Sequence, residues 1–363
     1  MRILLAGGGS AGPVTPLLAV AEKLKQDGSD AHQFLFIGTR AGHPEKRMVE
    51  QQGLTFEGIF SGKWRRYFSW RNFLDLCLLV VGIVQAIFII KKFKPDVILS
   101  AAGFVAVPVT WAGWLCRVPS LIHQQDIIPS LSNKLMTPLA TRITVAWQKS
   151  LADFPKRKTF WVGNPVRPMI LQGNRDKARQ LFKLEAKLPT VLIFGGGLGA
   201  EKINELVWAC LGDLIKFCQV IHLGGKNKAL NNLPHNPRYH FYEFLTRDMA
   251  EALAAADLVV SRAGIGALTE LSILAKPAIL IPIPDSHQEA NAKVFAAAGA
   301  VILLNQKELT KEKFLSVVKA VIQSPQKTKE LSEKIKKFFD PQASQKIIAH
   351  LRQICYNKSE SRI

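Results

Sequence analysis

The chain is short of acid, of paired cysteines and of long apolar runs, and each shortage narrows what it can be. Its 28 Asp and Glu stand against 48 Lys and Arg, a formal charge of +20 over 363 residues. That surplus favours an anionic partner: nucleic acid, a phosphorylated substrate or acidic lipid. The five cysteines, Cys77, Cys116, Cys210, Cys218 and Cys355, are odd in number and show no Cys-x-x-Cys or Cys/His ligand spacing. This argues against a disulfide framework and a structural zinc, and fits a reducing compartment. No Asp-x-Asp occurs, so no obligatory protein-bound cation and no cofactor are expected. The apolar stretch Leu76 to Ile90, broken by Gly82 and Gln85 and bracketed by Asp75 and Lys91, is shorter than the ~20 residues a bilayer crossing needs. It reads as a buried or membrane-facing helix. Met1 to Ala6 runs straight into glycines, too short and wrongly followed for a signal peptide.

What is present is a domain-scale repeat in a chain long enough for two cores. Ile3-Leu4-Leu5-Ala6, then Gly7-Gly8-Gly9-Ser10-Ala11-Gly12, reads as a buried strand turning through glycines into a helix from Pro16 to Lys25. The same grammar returns at Val191 to Phe194, then Gly195-Gly196-Gly197-Leu198-Gly199-Ala200, then a helix through Asn204 to Leu211. Short apolar strands alternate with helical patterns through both halves. They are expected at Phe34–Ile37, Asp96–Leu99, Ser120–His123 and Arg142–Ala146, and again at Gln219–Leu223, Tyr239–Phe244, Asp257–Val260, Ala278–Ile283 and Ala300–Leu304. Continuous apolar strands between helices imply parallel sheets covered on both faces, hence an α/β chain of two facing, Rossmann-like, doubly wound domains with a cleft between them. The expected division is 1–163, 164–340 and a C-terminal helix over 341–363, with Gly163-Asn164-Pro165-Val166-Arg167-Pro168 as the stiff connector.

A glycine loop that opens a helix lets backbone N–H groups and the positive helix end approach a phosphate. Tight strand-to-helix turns also use glycine for steric reasons, so each loop alone is open to either reading. A third glycine region, Ser261-Arg262-Ala263-Gly264-Ile265-Gly266-Ala267-Leu268-Thr269-Glu270, adds a cation and a carboxylate that can accept from ribose hydroxyls. Arg262 could equally be a surface cation and Glu270 a helix-dipole partner. Asp285-Ser286-His287-Gln288-Glu289-Ala290-Asn291 must lie beyond the carboxyl end of a strand, where its amides suit sugar hydroxyls while Asp285 or Ser286 caps the helix.

Taken together these residues resemble the MurG family, the glycosyltransferases of peptidoglycan synthesis, over nearly the whole chain. The match runs through Gly8 to Gly12 with Pro16 and Leu18 to Ala21, Lys94-Pro95-Asp96-Val97, Gly103-Phe104 and His123-Gln124-Gln125. It continues with Gly163 to Arg167, Gly195-Gly196, Glu243-Phe244-Leu245, Asp248-Met249, Arg262 to Glu270, Gln288 and Asn291. The resemblance implies a GT-B fold. It implies UDP-GlcNAc held mainly by the second domain, a lipid-linked MurNAc-pentapeptide acceptor on the first, and a C-terminal helix returning to the first. Phe244 and Leu245 would read the uracil, Glu270 the ribose, Arg167 with the glycine-loop amides the diphosphate, and Gln288 the sugar. The implied donor set is Ser10, Ala11, Gly12, Asp126, Arg167, Gly197, Phe244, Leu245, Arg262, Gly264, Ile265, Gly266, Ala267, Leu268, Thr269, Glu270, Gln288 and Asn291.

Departures are specific. Where the family's first loop carries a histidine stands Pro13, which neither accepts a proton nor donates an N–H. The family's His-Glu-Gln-Asn is His123-Gln124-Gln125-Asp126, its Ser and Gln of the second loop are Gly197 and Leu198, and its nucleotide-loop Thr is Ala267. Asp126 and His123 are therefore the candidates for the base, Asp126 preferred for its loop position. The expected reaction is inverting transfer of N-acetylglucosamine to the MurNAc 4-hydroxyl. Another lipid acceptor for a UDP-sugar, or an inactive UDP-sugar-binding homologue, are the competing readings. Nothing resembles a nucleic-acid recognition motif, and no nucleic-acid partner is expected. Lys63, Trp64, Arg65, Arg66 and Trp70 precede the apolar stretch in a strongly basic, aromatic segment. Such a segment suits anionic inner-leaflet lipid and a peripheral place on the cytoplasmic face of the membrane, or else is a solvated basic loop.

Overall fold

The computed structural model describes residues 1–28, 32–42, 45–62, 71–196, 199–229, 236–246 and 248–360, with the side chains of 71–74 and 358–360 left aside. The chain divides into two compact units, Met1–Arg167 with Asp340–Ile363, and Pro168–Phe339. The first division therefore falls after Arg167, four residues beyond the expected 163/164.

Unit 1 runs β1 (Arg2–Ala6), α1 (Ala11–Gln26), β2 (Gln33–Thr39), α2 (Glu45–Glu50), β3 (Thr55–Ile59), α3 (Arg71–Phe93) and β4 (Val97–Ser100). It goes on through α4 (Ala106–Leu115), β5 (Ser120–Gln124), α5 (Leu131–Met136), β6 (Arg142–Val145) and β7 (Thr159–Trp161). Among the described residues its sheet is seven-stranded, all parallel, in the order β3-β2-β1-β4-β5-β6-β7. Side chains alternate across a strand, so β1 feeds two cores. Ile3 and Leu5 pack with Val14, Leu17 and Leu24 of α1, whereas Leu4 and Ala6 pack with Ala86 and Ile90 of α3 and Val109 of α4.

Unit 2 runs α6 (Arg175–Leu181), β8 (Thr190–Phe194), α7 (Glu201–Leu214), β9 (Gln219–Leu223), β10 (Tyr239–Tyr242), α8 (Met249–Ala255) and β11 (Leu258–Ser261). It continues with α9 (Ile265–Ile273), β12 (Ala278–Leu280), α10 (His287–Ala297), β13 (Ile302–Leu303), α11 (Lys311–Ile322) and α12 (Pro325–Ile335). Its parallel sheet has the order β10-β9-β8-β11-β12-β13. Val191 and Ile193 of β8 pack against Val207 and Leu211 of α7 and Phe314 and Val318 of α11. The last helix, α13 (Ala343–Glu360), belongs to unit 1, where Ile347, Ile348, Leu351 and Ile354 join the α1 core.

Three local expectations need correction. Helix α1 begins at Ala11 rather than Pro16, with Ser10 as its N-cap, so Pro13 takes the first turn and Pro16 lies inside. Pro13 costs nothing there because the first N–H groups have no intrahelical partner, while Pro16 withholds the bond Gly12 would otherwise accept. Strands β3 and β7 escape the apolar pattern because β3 is largely exposed and β7 is three residues long. Helix α3 is 23 residues long, and its segment Asp75–Phe93 is by length and composition apolar enough to cross a bilayer. The apolar run alone understated it because the flanking Asp75, Lys91 and Lys92 continue the helix.

Candidate active site

In open parallel sheets, ligands bind beyond the carboxyl ends of the strands, where the strand order reverses. In unit 2 that point lies between β8 and β11, so the glycine loop after β8 and the turn into α9 are neighbours by topology. Gly196 and Gly199 have φ of +91° and +73°, and a β-carbon at Gly195 would stand 2.2 Å from the Ala200 side chain, so these glycines answer to geometry. Gly197 and Leu198 lie outside the described residues. Gly264, the N-cap of α9, and Gly266 are different: neither has a positive φ, and a β-carbon at either would meet nothing among the described residues. Packing and backbone strain therefore do not explain them, and space is left at an uncapped helix N-terminus. Ile265, Ala267, Leu268 and Thr269 build the first turns of α9, Thr269 folding its hydroxyl back onto Ile265 O at 2.8 Å. Glu270 follows on the same helix, buried.

Arg262 does not behave as a surface cation. It is 8% exposed, its pKa lowered by burial, and its Nη1 donates to the carbonyls of Ile281 at 2.8 Å and Pro282 at 3.1 Å. It braces the end of β12 against the end of β11. The polar cluster after β12 starts where Asp285, at φ +58°, pairs with Lys307 at 3.0 Å. Ser286, rather than Asp285, caps α10 by accepting from Gln288 N at 3.3 Å, and Gln288 Oε1 accepts from Ile283 N at 3.3 Å. Asn291 is buried one turn on. After β10, Phe244 is 55% exposed beside buried Leu245, an open aromatic face next to an anchored backbone.

Unit 1 reverses between β1 and β4. Here the loop after β1 leaves Ser10 and Gly12 exposed and Ala11 half-buried at the start of α1. Gly9 N–H does not face outward: it donates to Oε1 of Glu45 at 3.2 Å. Beyond β5, His123 is 1% exposed, with Nε2–H donating to Asn164 Oδ1 at 3.1 Å and Nδ1 accepting from the Thr144 hydroxyl at 3.0 Å. Burial pushes its pKa down to about 4, only partly offset by the bond to Asn164 and by the Thr144 backbone. Both ring nitrogens are spent inside the fold. Gln124 is buried too: its Nε2 donates to the carbonyls of Asp126 at 2.7 Å and Ile128 at 3.0 Å. Its Oε1 accepts from Ser130 N at 3.3 Å and Asn133 Nδ2 at 2.7 Å. A carboxylate has no donor for those carbonyls, so glutamine here is a loop clamp. The Asp126 it secures is half-buried, and Arg167, at the end of unit 1, is half-buried as well. Among the described residues no three His, Cys, Asp or Glu side chains gather as a metal site.

Lys63, Trp64, Arg65, Arg66 and Trp70 lie outside the described residues. The helix after them presents Leu76, Val80, Val84 and Phe88, four residues apart, as one exposed apolar stripe, Phe88 at 69%, while Ala86 and Ile90 face the core. Gln85, the polar break in the run, accepts from Phe60 N at 2.9 Å and so pins the end of β3 to α3. Trp114 and Leu115 are also exposed, beside a depression of about 350 Å³ lined by Trp111, Leu135, Pro138 and Leu139.

Reading by motif missed Glu45, whose partners are brought to it by tertiary structure, and His222. Burial pushes His222 down to about 4, and it bonds Tyr239 OH at 2.9 Å and Asn204 Oδ1 at 3.1 Å. Asn204 in turn donates to Gly224 O at 2.8 Å, which fixes the first turn of α7 to the turn after β9.

Comparison with known proteins adds the following. Residues 3–145 match the glycosyltransferase family 28 N-terminal domain and residues 190–347 the family 28 C-terminal domain. A Bacillus cereus protein named UDP-N-acetylglucosamine–N-acetylmuramyl-(pentapeptide) pyrophosphoryl-undecaprenol N-acetylglucosamine transferase 2 is 38% identical over 97% of this chain and 99% of its own. The transferase of that name from Legionella pneumophila is 36% identical over 97% and 96%. The crystal structure of MurG from Acinetobacter baumannii superimposes with a TM-score of 0.72 at 25% identity, covering 97% and 99%. A UDP-GlcNAc 2-epimerase from Neisseria meningitidis bound to UDP-GlcNAc, 14% identical with a TM-score of 0.70 over 97% and 100%, shares the fold.

Proposed function

The chain belongs to the MurG family within glycosyltransferase family 28, and we propose that it assembles its donor site on the N-terminal end of α9. It is a UDP-GlcNAc-dependent glycosyltransferase that moves N-acetylglucosamine onto undecaprenyl-pyrophosphoryl-MurNAc-pentapeptide, lipid I, to give lipid II. The observation that carries the donor site is the pair Gly264 and Gly266, which neither φ nor packing against the described residues requires to be glycine, at a helix N-terminus with Glu270 one turn in. In this reading the diphosphate takes the α9 amides, the ribose hydroxyls take Glu270, uracil lies by Phe244 and the Leu245 backbone, and the sugar meets Gln288 and Asn291. Within unit 1, Arg167 offers a cation and the loop Ser10, Ala11 and Gly12 offers helix-terminal amides to a diphosphate, and preorganised donors of that kind usually supply the largest part of such catalysis.

The MurNAc 4-hydroxyl attacks the anomeric carbon in line and inverts it. Asp126 takes the hydroxyl proton, since both nitrogens of His123 are occupied and its basicity is low. The protein works as a peripheral enzyme at the cytoplasmic face. The apolar stripe of α3 enters the interface and the basic segment 63–70 meets anionic headgroups, a pairing of apolar area with cations that suits an interfacial helix. The deciding experiment is a transfer assay with UDP-GlcNAc and a synthetic lipid I analogue. The expected product is the disaccharide lipid; UDP-GlcNAc hydrolysed or untouched while the acceptor stays unglycosylated would overturn the reading.

A further inference from the structure

Glu45 opens α2 and is fully buried, more deeply than Glu251 or Glu270. Its Oε1 accepts from Gly9 N at 3.2 Å, from Thr39 N at 3.1 Å and from the Thr39 hydroxyl. Its Oε2 is buried with no hydrogen-bond partner among the described residues. A buried carboxylate with one oxygen unpaired is costly, and an apolar side chain or an amide would fill the same volume at less expense. The surroundings nevertheless make room for it with glycine. A β-carbon at Gly8 would stand 2.8 Å from Oε1; at Gly38 one would meet the Phe56 ring first, at 2.5 Å, and Cγ of Glu45 at 3.1 Å. From the far side Gly103, at φ +92°, closes on the loop, for its β-carbon would stand 2.8 Å from Gly8 O. Gly8 is thus pressed between the carboxylate and the β4–α4 turn, at the point where the strand order of unit 1 reverses. Gly9 follows at φ +82°, where a β-carbon would meet nothing among the described residues, with its N–H turned inward.

We propose that Glu45 is a positioning residue for sugar transfer: by holding the Gly9 amide it fixes the loop that presents Ser10, Ala11 and Gly12 at the start of α1. The proposal rests on the reading of that loop as substrate-facing. The carboxylate touches no substrate and acts through the backbone. Its geometry determines where the exposed amides of the loop point, because Gly9 and the N-cap Ser10 are consecutive residues. A loop held by a three-donor acceptor needs no reorganisation when the phosphate-bearing substrate arrives, and that is the condition under which backbone donors are most effective.

The test compares wild type, Glu45→Ala, Glu45→Gln and Thr39→Val as full chains. Hydrogen exchange by mass spectrometry is followed on a peptide spanning Gly7 to Val14, with one spanning β8 as control. In parallel, kcat and KM are measured with UDP-GlcNAc and the lipid I analogue, and UDP affinity by calorimetry. Glu45→Ala is expected to speed exchange in the Gly7–Val14 peptide but not in the β8 control, and to lower kcat by about tenfold or more with a clearly smaller loss of UDP affinity. Glu45→Gln, which keeps an acceptor at Oε1, is expected to recover most of kcat. Thr39→Val, which removes the hydroxyl that orients Oε1 and preserves volume, should show the same losses at smaller size should the alanine variant not fold. Faster exchange with wild-type kcat overturns the proposal. So does an equal loss of kcat and UDP affinity, the mark of a damaged core, and so does a glutamine variant as slow as alanine at equal stability. A wild-type protein that transfers no sugar refutes the functional reading instead; the exchange of the loop peptide reports the clamp without substrate.

Discussion

Nη1 of Arg142 donates to Nδ1 of His350 at 2.9 Å, tying β6 to helix α13 within unit 1. The same nitrogen reaches Gln353 Oε1 at 2.6 Å, and the His350 ring lies 4.4 Å from that of Phe160. An Nδ1 that accepts from a guanidinium cannot carry a proton, and burial, then the Arg142 charge, hold the His350 pKa below its ordinary value. The unfolded imidazole protonates near pH 6.5 and the folded one lower. The stabilisation from this contact is therefore complete above about pH 6.5 and is lost as pH falls through that range toward the folded value. His32, His123, His222 and His240 are shifted the same way, so the diagnostic is a difference. The thermal midpoint of wild type should exceed that of His350→Asn at pH 7.5 and the gap should shrink by pH 5.5, measured by scanning calorimetry; a gap independent of pH would refute it.

Glu270→Ala should weaken UDP binding. Lost bonds between a carboxylate and two ribose hydroxyls are worth on the order of 1.5 to 3 kcal/mol, a tenfold or larger change in Kd. Calorimetry with UDP reads it directly, and an unaltered Kd would remove Glu270 from the ribose.

Gln124→Glu should destabilise unit 1 although it changes one atom type. The carboxylate would face the carbonyls of Asp126 and Ile128 with no N–H to offer, at a cost of about 1 to 3 kcal/mol for buried acceptors left unpaired. Denaturant melts followed by tryptophan fluorescence should show a lower midpoint with unchanged slope, whereas Gln124→Glu as stable as wild type would mean that water serves those carbonyls.

These residues also mark how far the sequence could be read. Strands such as β1 and β8 announce themselves because both their faces are covered, so apolar residues run unbroken. The polar β3 and the three-residue β7 carry no such mark, and their place follows only from pairing with β2 and β6. Glycines are legible as a class but not by role: Gly103 and Gly199 serve close approach and positive φ, while Gly264 and Gly266 leave open space, a distinction that exists only in three dimensions. The sequence leaves Arg262 open between a ligand and a surface cation; the fold excludes the surface cation by burying it against two carbonyls, because the end of β12 supplies acceptors 19 and 20 residues along the chain. Glu45 carries no motif at all, since its donors come from β2 and from a glycine loop 36 residues away.

The apolar stripe of α3 makes a prediction about membranes. Val80→Asp, Val84→Asp and Phe88→Asp together place three charges on the exposed face without touching Ala86 or Ile90 in the core. Burial of three such side chains at an interface is worth about 1.5 to 3 kcal/mol each when complete, so co-sedimentation with phosphatidylglycerol liposomes should fall by tenfold or more. Transfer to a short-chain, water-soluble acceptor analogue should persist. Liposome binding that survives the triple variant would move the docking face elsewhere.

The last prediction concerns the base. Asp126 and His123 are three residues apart in sequence, yet the fold treats them oppositely. His123 is sealed between Thr144 and Asn164 with a pKa near 4, so at neutral pH it is neutral, with both nitrogens engaged and the ring out of contact with solvent. Asp126 stands half-buried on the loop after β5, its own carbonyl held by Gln124, so the backbone that carries the carboxylate is anchored while the side chain lies at the carboxyl end of the sheet. Asp126→Asn keeps the shape and most hydrogen bonding and removes basicity, so turnover should fall roughly 10² to 10⁴ fold with little change in UDP affinity. His123→Gln should act differently, lowering the thermal midpoint through its lost buried bonds while the turnover of the folded fraction stays within about threefold of wild type. If Asp126→Asn retains most of its turnover, proton removal passes to a substrate group, and the carboxylate is a sugar-hydroxyl ligand.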